Sequence, residues 1–194
     1  FATRAAAAVA KRDDLRRQLG ISSGRRILLF VGKLMTRKCP DLLVAAWQKA
    51  RWSDEKPSLL FVGDGELGEA LRRAAPDAVF AGFRNQSDLA SFYDLADLLV
   101  VPSRREPWGL VVNEAMACGT AVVASDEVGA ARDLITPETG GLFRVGDVDH
   151  LAATLLECLP KAEALGRAAR RRIEAWDFEA DISGLKAALV AVAR

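Results

Sequence analysis

The feature that most constrains this chain is a recurrence. RILLFVG (26–32), SLLFVG (58–63), AVFAGF (78–83), LLVVPS (98–103) and TAVVAS (120–125) are short, β-rich and almost continuously apolar, and GLFRV (141–145) continues the series more weakly. Runs without polar alternation suit strands buried on both faces. Between them lie helical patterns at about 41–52, 66–75, 87–96, 109–118, 127–135 and 148–159. Strand alternating with helix at this pitch builds βαβ units. The expected fold is therefore α/β: a doubly wound, Rossmann-like parallel sheet of about six strands with helices on both faces. In such a sheet ligands bind at the carboxyl ends of the strands, near the reversal of strand order. Functional residues are expected just after each strand.

Around this unit, residues 25–160, the chain divides into two flanking pieces. Residues 1–24 read as a linker and lead-in helix, with KRDDLRRQLG ending in a glycine C-cap. Residues 161–194 read as two amphipathic helices that pack on the domain or towards a neighbouring one. The start, FATRAAAAVAKRDD, lacks both an initiator methionine and the order of a signal peptide, which suggests a fragment or a processed product.

Composition narrows the function. The chain is 51% hydrophobic and 27% charged, enough for a core and too balanced for disorder. A formal net charge of +1 gives nucleic acid no global electrostatic support. The three cysteines, Cys39, Cys118 and Cys158, are scattered, which argues for a reducing compartment and against a disulfide framework or a clustered zinc site. No apolar run approaches the roughly 20 residues needed to cross a bilayer.

Two motifs compete for attention. Gly63, Gly65 and Gly68 spell G-x-G-x-x-G after the second strand run, the dinucleotide fingerprint. It normally occupies the first βα turn. Here Asp64 and Glu66 would point negative charge into a pyrophosphate cradle, and no acidic residue ends the next strand to hold a ribose. A tight glycine turn is the better reading, although a nicotinamide-dependent oxidoreductase stays as the alternative. Asp147 and Asp149 form D-x-D, but they open a helix, where Asp147 suits the N-cap and Asp149 the positive helix end. The single histidine, His150, follows in that helix with no evident catalytic partner.

The first strand exit offers cations instead. Lys33, Arg37 and Lys38 lie within one short loop before Pro40. The fourth offers LLVVPSRREPWGLVVNEAMACG, running from strand to loop to helix. Gly109 permits close backbone approach, and the free N–H groups of residues about 109–111 can receive a diphosphate, with Lys33 and Lys38 closing on it. At about 1.5 Å per residue, Glu114 stands roughly 7 Å along the helix, a fitting step from diphosphate to ribose, whose two hydroxyls one carboxylate can accept. Glu106, on the far side of the glycine, can meet hydroxyls of whatever the distal phosphate carries. Taken singly, each glutamate is also an ordinary surface charge.

The segments VGKLMTRKCPDLL, LLFVGDGE, FAGF, LADLLVVPSRREPWGLVVNEAMACGTAVVASDEVGA and GGLFRVGDVDHLA match in order and spacing, over about residues 26–152, the family 4 (group 1) glycosyltransferases. The chain resembles their C-terminal, donor-binding domain, one half of the GT-B fold. The most specific element is Glu106-x7-Glu114. The resemblance implies that Glu106 contacts the donor sugar and Glu114 the nucleotide ribose, and that Lys33 and Lys38 neutralise the diphosphate as electrostatic catalysts. It implies phosphate and sugar contacts from Pro107 and the amides of Trp108, Gly109, Leu110 and Val111, and donor contacts at Gly32. The base is expected at Gly82, Phe83 and Arg84.

The implied reaction transfers a sugar from a nucleoside diphosphate sugar, of the UDP or GDP type, to an acceptor hydroxyl with retention and without a metal or other cofactor. A missing N-terminal domain would bind the acceptor, so the chain alone is expected to be inactive. A cytoplasmic setting, with peripheral contact at the inner face of the membrane, and a role in bacterial polysaccharide synthesis are further implications. A non-catalytic nucleotide-binding module of the same fold is another alternative. Two positions depart from the family pattern: Lys33 stands where arginine is frequent, and Cys39 where glycine is usual.

Overall fold

The computed structural model of the chain describes residues 12–176 and 178–192. Six parallel strands form one sheet: β1 (Ile27–Val31), β2 (Ser58–Val62), β3 (Val79–Phe80), β4 (Leu98–Val101), β5 (Ala121–Ser125) and β6 (Gly140–Phe143). Their spatial order is β3-β2-β1-β4-β5-β6. The chain builds outward from β1 through β2 to β3, then returns to pair β4 against the other side of β1. Strand order thus reverses between β1 and β4, so the two exits carrying Lys38 and Glu106 are neighbours.

Continuous apolar runs become strands because successive side chains face opposite layers. Ile27 and Leu29, Leu60 and Val62, Leu99 and Val101, and Val122 and Ala124 enter one core. It is closed by residues of α1 (Arg12–Gln18), α4 (Gln86–Leu95), α5 (Leu110–Ala117), α6 (Gly129–Leu134) and α8 (Ala162–Glu174). Leu28 and Phe30, Leu59 and Phe61, Leu98 and Val100, and Ala121 and Val123 enter the other. There α2 (Pro40–Lys49), α3 (Gly68–Ala74) and α7 (Val148–Cys158) form the cover. The doubly wound reading holds, with helices on both faces.

The remaining differences are local. The third strand is shorter than the expected 78–83: it is an edge strand, and the chain leaves it through Gly82 at φ +72°. Helix α1 ends as expected. Gly20 takes φ +67°, its N–H donates to Arg17 O at 3.1 Å and Ile21 N–H to Arg16 O at 3.0 Å, the paired bonds of a Schellman cap. The rest of the lead-in reading, residues 1–11, lies outside the described residues. Helix α9 (Phe178–Val192) carries exposed Ile182, Leu185, Leu189, Val190 and Val192.

Candidate functional site

The exits of β1 and β4 meet in a side-chain contact. After β1 the chain makes a 3₁₀ turn, Thr36–Lys38, and Lys38 Nζ bonds Glu106 Oε2, with Arg37 Nη1 at 3.8 Å from the same oxygen. The Glu106 side chain is only 12% exposed and that of Lys38 23%, so water screens their attraction weakly. The backbone of Glu106 is fixed from the β5 exit: its N–H donates to Glu127 O at 3.0 Å, and its carbonyl accepts from Gly129 N–H at 2.9 Å. Trp108 O accepts from Ala130 N–H at 2.9 Å. The loop holding Glu106, Pro107 and Trp108 is therefore stitched to its neighbour.

Gly109 caps α5 at φ +91°, a conformation that side chains resist. A Cβ there would stand 3.0 Å from Val128 Cγ1 and 3.3 Å from Glu106 Cγ. The glycine thus lets the helix begin against the Glu106 side chain. The backbone N–H groups of Trp108, Gly109, Leu110 and Val111 find no acceptor among the described residues, as the first turn of a helix requires. Leu110 is exposed and Val111 half-buried. The Trp108 indole donates to Asn113 Oδ1 at 2.9 Å, holding the ring over the helix start.

Glu114 lies one turn further on. Tyr93 of α4, fully buried, donates its hydroxyl to Glu114 Oε2 at 2.7 Å. Burial first, and then the Glu114 charge, hold the Tyr93 phenol well above its ordinary pKa, so it stays a donor. Lys33 is exposed and makes no ion pair among the described residues.

Gly82, Phe83 and Arg84 sit at the β3 exit. Phe83 is 71% exposed, and the Arg84 guanidinium lies 5.7 Å from the Phe92 ring centroid. Asp64 braces this loop: its Oδ2 accepts from Phe83 N–H at 2.8 Å, and its carbonyl accepts from Leu34 N–H at 2.9 Å. In the sequence Asp64 stands as an acidic residue of the GDGELG turn, and its role here arises only because β2 pairs with β3.

The other motifs resolve as structure. A Cβ on Gly63 would stand 2.0 Å from Gly32 O, and one on Gly65 2.3 Å from Leu34 O. These glycines let the β2 exit press on the β1 exit. Asp147 caps α7, its Oδ1 accepting from His150 N–H at 2.9 Å, and Asp149 pairs with Lys49 at 2.6 Å. His150 Nδ1 accepts from Arg144 N–H at 3.1 Å. Among the described residues, no group of three or more His, Cys, Asp or Glu side chains is placed to hold a metal ion. Cys39, Cys118 and Cys158 are free and buried. Cys39 takes φ +48°, which explains why glycine would be the easier residue there.

Similarity to known proteins agrees with this geometry. Residues 11–172 match the family described as glycosyl transferases group 1. A D-inositol 3-phosphate glycosyltransferase of Geodermatophilus obscurus is 34% identical over 200 residues, covering 94% of this chain and 44% of its own length. A GDP-mannose-dependent α-mannosyltransferase of Mycobacterium tuberculosis is 35% identical over 176 residues, covering 88% and 44%. The structure of sucrose-phosphate synthase from Thermosynechococcus elongatus superposes with a TM-score of 0.75 at 33% identity, over 93% of this chain and 49% of its own. The chain thus spans about half the length of the relatives it matches. It belongs to the group 1 glycosyl transferase family.

Proposed function

We propose that this chain is the donor-binding, C-terminal half of a GT-B glycosyltransferase that transfers a sugar from a nucleoside diphosphate sugar to an acceptor hydroxyl with retention. The observation that carries the reading is the Lys38–Glu106 contact at the open N-terminus of α5, set at the reversal of strand order. The donor lies along α5. Glu114 accepts the ribose hydroxyls, the amides of residues 108–111 and the Lys33 and Lys38 ammonium groups take the diphosphate, and Glu106 orients the sugar. Gly82, Phe83 and Arg84 hold the base, and Gly32 and Pro107 line the same strand exits.

The chemical demand is stabilisation of a departing diphosphate. Ammonium groups and helix-end amides meet it without assigning the task to a metal. Removal of one such group typically costs on the order of a hundredfold in rate. Glu106 holds Lys38. A bound diphosphate offers that lysine a second, more highly charged partner and leaves Glu106 oxygen atoms for the sugar.

A nucleoside diphosphate sugar donor is named for the mycobacterial relative, GDP-mannose, and the chain's match to just under half of that relative's length supports an acceptor site in a second, N-terminal domain. Three free cysteines favour a cytoplasmic setting. No helix among the described residues is long and apolar enough to cross a membrane, and contact with the inner membrane face fits an enzyme of surface polysaccharides. Calorimetric titration with UDP, GDP, ADP and NAD tests the reading: a nucleoside diphosphate must bind. The absence of any such binding removes it.

A further inference from the structure

Beside the Glu106 end of the proposed donor line lies a second feature. An open hollow of about 760 Å³ separates the Thr36–Lys38 turn from the loop after β4, with Arg37, Arg104 and Arg105 in its wall. It shares no lining residue with Gly82–Arg84 or with Glu114. Arg37 joins it to the site, since its Nη1 lies 3.8 Å from Glu106 Oε2.

The wall carries three cations, Arg37, Arg104 and Arg105, against two carboxylates, a positive excess. Arg104 and Arg105 make no carboxylate ion pair among the described residues. Two acidic residues also line the hollow, Asp41 and Glu127. Glu127 Oε2 already accepts the backbone N–H of Arg105 at 2.9 Å, and Asp41 stands in the first turn of α2, where the helix dipole favours it. Three arginines therefore line a space large enough for a small polar group, and two of them, Arg104 and Arg105, have no carboxylate ion-pair partner among the described residues.

Backbone strain converges on the same place. Among the described residues the non-glycine positions with positive φ are Cys39 and Arg105, each at +48°, and both line the hollow. Such conformations are held only where surroundings over-determine them, and they cluster where ligands are gripped. Arg105 is held at both ends of its peptide: Glu127 accepts its N–H, and Arg37 Nη1 donates to its carbonyl at 3.3 Å. Arg104 N–H donates to Arg37 O at 2.8 Å, tying the two walls together.

We infer that this hollow is an oxyanion subsite, taking a phosphate, sulfonate or carboxylate substituent carried next to the reacting sugar. Guanidinium forks bind such groups through paired, charge-assisted hydrogen bonds. The substituent belongs either to the transferred sugar or to the acceptor. The inference rests on the reading of Glu106 as the sugar end of the donor line.

Calorimetry at fixed ionic strength tests it. Inorganic phosphate is titrated into the chain alone and into the chain saturated with whichever of UDP, GDP and ADP it binds. The expected result is a phosphate site that survives saturation and weakens about tenfold or more in Arg104→Gln and in Arg105→Gln, as for loss of one charge-assisted hydrogen bond. Nucleoside diphosphate affinity stays unchanged in both variants. Arg105→Lys, which keeps charge but not the fork, falls between.

Two further arms locate the source. UDP-glucuronate against UDP-glucose, or GDP-mannuronate against GDP-mannose, reads an anion on the donor. Glucose 6-phosphate against glucose, with the nucleotide present, reads one on the acceptor. Preference for the charged partner, lost in the variants, supports the subsite in either arm. Complete displacement of phosphate by the nucleotide, or anion affinities unchanged in a folded Arg105→Gln protein, overturns it. A chain that binds phosphate in the hollow but no nucleoside diphosphate retains the subsite and removes the glycosyl-donor reading instead.

Discussion

Tyr93 Oη donates to Glu114 Oε2 across 2.7 Å, from the interior of α4 to the rim of α5. One carboxylate oxygen is thereby fixed by a buried phenol, which leaves the other to face the proposed ribose. Tyr93→Phe removes that restraint. The expected outcome is a three- to tenfold loss of nucleoside diphosphate affinity, about 0.7 to 1.4 kcal/mol, with a stability loss of about 1 kcal/mol. Inorganic pyrophosphate, which has no ribose, should bind the variant as it binds the wild type. Calorimetry and urea denaturation check both halves.

The Lys38–Glu106 contact makes an asymmetric prediction. Lys38→Ala removes positive charge from the diphosphate position, so nucleoside diphosphate affinity should fall about tenfold. Glu106→Gln removes the lysine's competing partner. It should leave that affinity unchanged or raise it, while weakening the sugar-bearing donor. A parallel fall in both variants, measured by titration with nucleotide and nucleotide sugar, contradicts the division of labour.

Asp64 should act on the base rather than the phosphates. Its carboxylate holds Phe83 N–H, so Asp64→Ala should lower nucleoside diphosphate affinity several-fold and spare pyrophosphate. Asp64→Asn keeps an acceptor oxygen and should recover most of the loss. Equal effects of Ala and Asn, in the same titrations, assign Asp64 to the fold alone.

Stability should decline on the alkaline side. Burial raises the Cys118 and Cys158 thiols from 9.0 to about 11. Below pH 9 both states hold the protons and nothing changes. Between pH 9 and 11 the unfolded chain releases protons that the folded chain keeps, so the unfolded state binds fewer and stability falls as pH rises. The slope is at most about 1.4 kcal/mol per pH unit for each thiol. Urea unfolding at pH 8 and pH 10 should show the loss, and Cys118→Ala with Cys158→Ala should reduce it. Parallel curves for wild type and the double variant contradict this origin.

What the amino-acid sequence disclosed follows from the reach of its signals. Apolar runs such as ILLFV report burial on both faces, so the sheet and its helices were legible. The Glu106–Glu114 spacing lies within one loop and helix, so it was legible too. The ladder order was expected only in outline, and edge strand β3 proved shorter because an edge needs fewer apolar residues. Contacts between distant segments left no local trace. Tyr93 reaches Glu114 over 21 positions and Lys38 reaches Glu106 over 68. Likewise, SRRE gave no sign that Arg104 and Arg105 would share a wall with Arg37. Asp64 was visible, but its role depends on β2 pairing with β3.

The most direct test of the central claim is calorimetric titration of the chain, and of Glu114→Ala, with UDP, GDP, ADP and NAD. The account predicts that at least one nucleoside diphosphate binds the wild type, that NAD does not, and that Glu114→Ala weakens the binding about tenfold. NAD binding without any response to the nucleoside diphosphates, or a Glu114→Ala chain that binds as tightly as the wild type, contradicts it.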